Sequence, residues 1–285
     1  MDITTETIRI PTGETFNVLQ SGARDKPVIL WLHGSGPGAT ARSNWERVLG
    51  MTSDRYRNIA PDIIGFGQST HPEKPPQGLA AFTRYRVQTL LALLDVMGLE
   101  KVNLVGNSMG GIISLNLVLT APERVDRLMA MGTAGAPVEP TADIMKLIRF
   151  YDSPTTEAMA ELMTCFVHDP SMFGTELHAI AAQRMPMATR PEVERSHRAT
   201  FGPPDPAAPP LAPVITEANL ATLDHRMLFM HGREDRMVSP ENSYWLSKRI
   251  RNAHLHIFPN TGHWLMIEHP KEFVGLIDAF MADAI

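Results

Sequence analysis

The run Gly106-Asn107-Ser108-Met109-Gly110 sets a serine between small residues, directly after the apolar stretch 102–105 and directly before a helical pattern. Small flanks let the backbones approach at a sharp strand-to-helix turn, and that turn lifts the serine hydroxyl above the sheet edge. The helix N-terminus below it carries unpaired amide protons and a positive dipole end, both suited to a developing oxyanion. A plain helix N-cap is the competing reading, because serine is common there. A serine hydroxyl at its ordinary pKa is a weak nucleophile, so the catalytic reading demands a base and an orienting acid, in the chain order Ser, Asp, His. Asp235 in His231-Gly-Arg-Glu-Asp235 and His263 in Asn260-Thr-Gly-His263-Trp264 supply them, each just past a strand-like run. Glu234 competes for the acid role, but adjacent side chains point apart and only one can reach the histidine; Asp235 is favoured. Gly132-Thr133-Ala134, the other loop where an acid could stand, has no carboxylate.

A second glycine-rich loop, His33-Gly34-Ser35-Gly36-Pro37-Gly38-Ala39, fits the relaxed dinucleotide pattern through Gly34, Gly36 and Ala39. That reading is rejected: a hairpin precedes the loop, no helical pattern opens at Gly38, and a serine nucleophile needs a second oxyanion donor from such a loop. The backbone N–H of Ser35 or Gly36 is the candidate. Among the 11 histidines, His33 and His231 each end a strand before glycine and read as structural. His254 and His256 share one strand face without a third ligand at fitting spacing, so no metal is expected.

These residues need a scaffold. Strand-like runs at 28–32, 56–60, 102–105, 125–131, 227–230 and 254–258 alternate with helical patterns at 82–97, 109–120, 241–250 and 270–284. The alternation predicts βαβ units and a mostly parallel sheet covered on both faces. Residues 5–10 and 15–19, turned at Pro11-Thr12-Gly13, read as an antiparallel hairpin, giving about eight strands. From 134 to 213 the pattern is helical only, with apolar spacing at 145–150 and 159–166, and it ends in a run containing Pro203, Pro204, Pro206, Pro209, Pro210 and Pro213. The expected organisation is an α/β core at 1–133 and 214–285 and a helical cap at 134–213 with a stiff proline-rich return.

Composition excludes several classes. The 285 residues are 44% apolar and 20% charged with a formal charge of -5, which fits a globular α/β protein and gives no basic stripe for nucleic acid. One cysteine, Cys165, permits no intrachain disulfide or thiolate cluster. No apolar run is long enough to span a bilayer. The opening residues lack the basic and apolar regions of a signal peptide, and a cytoplasmic protein is expected.

With elbow, glycine-rich loop and triad order in view, the chain resembles the α/β-hydrolases from about residue 5 onward. More narrowly, His33–Ala39 with Ser43-Asn44-Trp45, Gly106-Asn-Ser-Met-Gly-Gly111 and Gly262-His263-Trp264 resemble the meta-cleavage-product hydrolases, which split a carbon–carbon bond in 2-hydroxy-6-oxohexa-2,4-dienoates during aromatic degradation. The resemblance implies a triad of Ser108, Asp235 and His263, an oxyanion hole from the amides of Ser35 and Met109, and pocket residues Asn44, Asn107 and Trp264. It implies a carboxylate-binding arginine in the segment after Gln183: Arg184 first, Arg190 as runner-up. Pro186 departs from the pattern, because it should disturb the helix expected there. No cofactor is implied; relatives usually form dimers or larger assemblies. A carboxylesterase or lactonase of the same fold is the alternative activity.

Overall fold

The computed structural model describes residues 2–208 and 215–285. Its strands are β1 (Thr4–Arg9), β2 (Thr15–Ser21), β3 (Val28–Leu32), β4 (Arg57–Pro61), β5 (Val102–Asn107), β6 (Val125–Met131), β7 (Arg226–Gly232) and β8 (Ala253–Phe258). They make one eight-stranded sheet in the order β1-β2-β4-β3-β5-β6-β7-β8. β1, β2 and β4 pair antiparallel, and every pair from β4 across to β8 is parallel. The helices are α1 (Ala41–Thr52), α2 (Leu79–Val96), α3 (Met109–Thr120), α4 (Ala142–Ile148), α5 (Thr156–Cys165), α6 (Leu177–Ala188), α7 (Pro191–Phe201), α8 (Glu217–Leu220), α9 (Glu241–Ser247), α10 (Leu265–Glu268) and α11 (Pro270–Met281). None among the described residues is long and apolar enough to cross a membrane.

Side chains alternate across the central strands, so consecutive residues feed two cores. Trp31, Val105 and Met129 join Trp45 of α1 and Phe273 of α11 on one face. Leu30, Leu104 and Leu128 join Phe82 and Leu90 of α2 and Ile113 of α3 on the other. This two-sided burial is why these strands read as continuous apolar runs.

Two expectations need correction. A helix does follow the His33–Ala39 loop: α1 opens at Ala41, capped reciprocally by Thr40 and Ser43. Pro186 also does not break its helix, since α6 runs through it to Ala188. Near a helix end, proline forfeits only one amide bond, and the residue left without a donor, Ala182, is exposed to water. Between β6 and β7 the described residues are helical or irregular without a strand. Pro209, Pro210 and Pro213 of the proline run, and the boundary at 213–214, lie outside the described residues.

Candidate active site

Ser108 stands between β5 and α3 with φ 54 and ψ -117, a backbone strained for any residue but glycine. Close packing maintains it. A Cβ on Gly110 would lie 2.1 Å from the Leu32 carbonyl oxygen, and Ser108 N–H donates to Met131 O at 2.9 Å. The elbow is therefore wedged between the ends of β3 and β6, and strain of this kind persists where surroundings over-determine it.

The loop after β7 carries Asp235. Its Oδ1 accepts from the amides of Met237 at 2.8 Å and Val238 at 2.9 Å, leaving Oδ2 to accept from His263 Nδ1 at 2.7 Å. Glu234 turns away, accepting from Arg233 and the Thr261 amide. Burial opposes ionisation of Asp235, but the charge and hydrogen bonds of His263 and His231 outweigh it and hold the carboxyl well below the usual carboxylate range. A carboxylate fixed this way directs the Nδ1 proton of His263 and leaves Nε2 free to act as base. Gly132, at φ +54, lets the parts converge: a Cβ there would lie 3.0 Å from the His263 ring and 3.4 Å from Asp235 Oδ2, one residue past the Met131 carbonyl that holds Ser108.

His231, expected to be structural, also reaches the acid. Its Nε2 lies 3.1 Å from Asp235 Oδ2 and donates to Val238 O, while Nδ1 accepts from Ser243 Oγ at 2.7 Å. The four-residue spacing in His231-Gly-Arg-Glu-Asp235 is the sequence signal for this contact. His33 is structural as expected: Nδ1 donates to Gly34 O, Nε2 accepts from the Ile63 amide, and burial lowers its pKa. Sequence reasoning also missed a clamp on the His263 loop. The Phe166 carbonyl after α5 accepts the amides of both His263 and Trp264, and the Glu268 carboxylate accepts those of Gly262 and His168.

A cavity of about 230 Å³ opens at the serine, lined by Ser35, Ser108 and Met109 together with Ala134, Glu139, Ile144, Ile148 and Phe201. Ser35 and Met109, the expected oxyanion donors, thus line the same cavity as Ser108. Gly36 is beside them, and a Cβ on it would lie 3.7 Å from the Arg184 guanidinium. Arg184 Nε donates to Pro37 O at 2.8 Å, and no carboxylate pairs with it among the described residues. Burial pushes its pKa down to about 10, so it stays charged at neutral pH.

The other expected pocket residues stand one layer back. Asn44 lies inside α1; its Oδ1 accepts the Gly34 amide at 3.3 Å and its Nδ2 donates to Thr40 O at 3.2 Å, fixing the start of the loop that carries Ser35. Asn107 is 1% exposed at the end of β5, its amide packed where a Cβ on Gly34 would fall. Trp264 stacks on Phe166 with centroids 4.4 Å apart. Arg190, the runner-up, pairs with Glu192 and donates to Gly67 O, and like Arg184 it is not among the residues that line this cavity.

A nucleophile elbow, a buried Asp–His pair and a glycine-rich loop on one mostly parallel sheet match a family whose model, described as alpha/beta hydrolase fold, aligns with residues 27–270. The chain belongs to the alpha/beta-hydrolase fold family. Within that family this hydrolase belongs with the meta-cleavage-product enzymes. It is 36% identical over 276 residues to 2-hydroxymuconate semialdehyde hydrolase of Pseudomonas sp. strain CF600, covering 96% of this chain and 93% of that one. It is 35% identical over 256 residues to 2-hydroxy-6-oxo-2,4-heptadienoate hydrolase of Pseudomonas putida, covering 90% and 89%. The solved structure of 2-hydroxy-6-oxo-6-phenylhexa-2,4-dienoate hydrolase from Rhodococcus sp. strain RHA1 superposes with a TM-score of 0.89 at 34% identity, covering 99% of this chain and 100% of that one.

Proposed function

We propose that this hydrolase cleaves the carbon–carbon bond of a 2-hydroxy-6-oxohexa-2,4-dienoate, releasing 2-hydroxypenta-2,4-dienoate and a carboxylic acid, as a cytoplasmic enzyme of aromatic degradation. Residues 134–213 serve as the cap, and residues 1–133 and 214–285 as the catalytic core. Arg184 carries the reading. A guanidinium without a carboxylate partner among the described residues, anchored by one peptide oxygen of the glycine-rich loop, is suited to bidentate capture of the dienoate carboxylate. The apolar cavity at Ser108 takes the acyl end.

In the first step the dienol ketonises, its hydroxyl proton being lost as the distal carbon is protonated, with His263 assisting and Arg184 holding the carboxylate. Asn44 contributes by keeping the Gly34 end of the loop in place. His263 Nε2 then takes the Ser108 proton as the serine oxygen adds to the distal carbonyl, and the oxyanion is held by the Ser35 and Met109 amides. The carbon–carbon bond breaks with its electron pair leaving on the dienoate fragment as a delocalised enolate, which His263 helps reprotonate. Water, deprotonated by His263, finally hydrolyses the acyl-serine. Oxyanion hole and triad serve an ester equally well, so the carboxylate subsite separates this activity from the esterase alternative.

Arg184→Ala tests it. The substitution leaves the dienoate carboxylate unpaired in a desolvated site, a loss of about 2–5 kcal/mol, or about thirtyfold to several-thousandfold in kcat/KM. A neutral aryl ester should lose less than about tenfold. Equal losses on both substrates would make Arg184 a structural residue and remove the support for a dienoate substrate.

A further inference from the structure

Arg86 of α2 is 0% exposed, yet no carboxylate pairs with it among the described residues. Its Nε donates to Ile64 O at 3.0 Å, one Nη to Thr200 Oγ1 at 2.9 Å, and the other lies 3.4 Å from Met109 Sδ. The guanidinium lies over the Phe82 ring at 3.8 Å and near Phe66 at 5.1 Å. A buried cation satisfied by two neutral oxygens, a sulfur and two ring faces is an expensive arrangement, and an apolar side chain of similar length would fill the space at less cost. Stability alone does not account for it.

Its position does. Met109 opens α3, and its backbone amide, directly after the nucleophile, is an oxyanion donor in the proposed mechanism; its side chain is the one that touches Arg86. A negative charge develops beside that amide when Ser108 adds to the carbonyl. A fixed cation in a dry, low-dielectric surrounding acts on such a charge without reorganising. We propose that Arg86 is a positioning residue that stabilises the oxyanion electrostatically from behind Met109, separately from the substrate carboxylate held by Arg184. Both guanidinium charges act, beside burial, to lower the pKa of His33 at the head of the glycine-rich loop. Burial lowers the Arg86 pKa to about 9, which leaves it charged at neutral pH.

The inference rests on Met109 as oxyanion donor, and Arg86→Met and Arg86→Lys test it beside Ser108→Ala. Removing the charge while keeping an apolar side chain should lower kcat by about ten- to a hundredfold on both the ring-cleavage product and 4-nitrophenyl acetate, because both pass through an oxyanion. KM should move less than about threefold, and the melting temperature should hold or rise as the unpaired buried charge is removed. Arg86→Lys, which restores the charge, should recover most of kcat. Arg86→Met with wild-type kcat overturns the proposal, as does a folded Arg86→Lys that is as slow as Arg86→Met. An Arg86→Met variant that does not fold, or melts well below wild type, overturns it too, since the guanidinium is then a cross-link between α2, α3 and α7. Ser108→Ala keeps the two failures apart. Its loss of turnover upholds the nucleophile whatever Arg86 does, and its retention of turnover removes the site on which both readings stand.

Discussion

Replacing Asp235 with asparagine removes one charge and swaps one acceptor for a donor, and both changes fall on the histidine base. The carboxylate accepts from the Met237 and Val238 amides through Oδ1 and from His263 and His231 through Oδ2. An asparagine keeping its oxygen toward the two amides turns its NH2 toward both imidazoles. His263 Nδ1 must then accept, which puts the ring proton on Nε2 and removes the base. His231 must also take the other tautomer and give up its bond to Val238 O. The wrong tautomer at a triad histidine is worth about ten-thousandfold in kcat, near 5 kcal/mol of barrier. The lost charge-assisted bonds add about 1–3 kcal/mol of destabilisation. Steady-state kinetics and a thermal melt on Asp235→Asn and Glu234→Gln measure both, and Glu234→Gln should stay within a few-fold of wild type. If Glu234→Gln is the slower enzyme, the assignment of the acid is wrong.

Two further perturbations act through neighbouring geometry. Gly132→Ala puts a methyl 3.0 Å from the His263 ring at a φ of +54; kcat should drop at least a hundredfold and stability by about 1–3 kcal/mol, and an alanine variant with native kinetics would show that the ring has room to move. His197, 5% exposed, donates from Nε2 to Ile148 O, and burial pushes its pKa down to about 4. A folded pKa below the ordinary histidine value means its contribution is present above about pH 6.5 and fades as pH falls toward 4, a loss of up to about 3 kcal/mol. The melting temperature should decline across that window and decline less in His197→Gln, and identical pH curves for the two would refute this.

Much of the site was legible because its signals are local. A strand, a turn of small residues and a helix adjoin one another within the residues around Ser108, and Asp235 and His263 each come after a strand by a short loop. α1 was missed. Its buried residues Ala41, Trp45, Val48 and Leu49 do have helical spacing, but arginine, serine, asparagine and glutamate dilute the stripe, and its cap pairs Thr40 with Ser43, without the usual glutamate or glutamine. Pro186 misled for the opposite reason, being a strong local breaker tolerated where the helix is about to end. The Phe166 and Glu268 clamp on the His263 loop and the pairing of Arg190 with Glu192 arise from chain segments meeting in space, and no periodicity encodes them. The different surroundings of Arg184 and Arg190, one set against Pro37 and the other against Gly67, likewise come only from the fold.

The most direct test is spectrophotometric. The purified enzyme is given a panel of 2-hydroxy-6-oxohexa-2,4-dienoates that differ in the 6-substituent, beside neutral aryl esters, with Ser108→Ala as the control. The dienoate chromophore should bleach with kcat/KM in the range of efficient enzymes, at least about 10⁴ M⁻¹s⁻¹ for the best substituent. Esters should be at least tenfold poorer, and Ser108→Ala should release no product from either. Rapid ester hydrolysis with no bleaching of any dienoate would contradict carbon–carbon cleavage and leave an esterase.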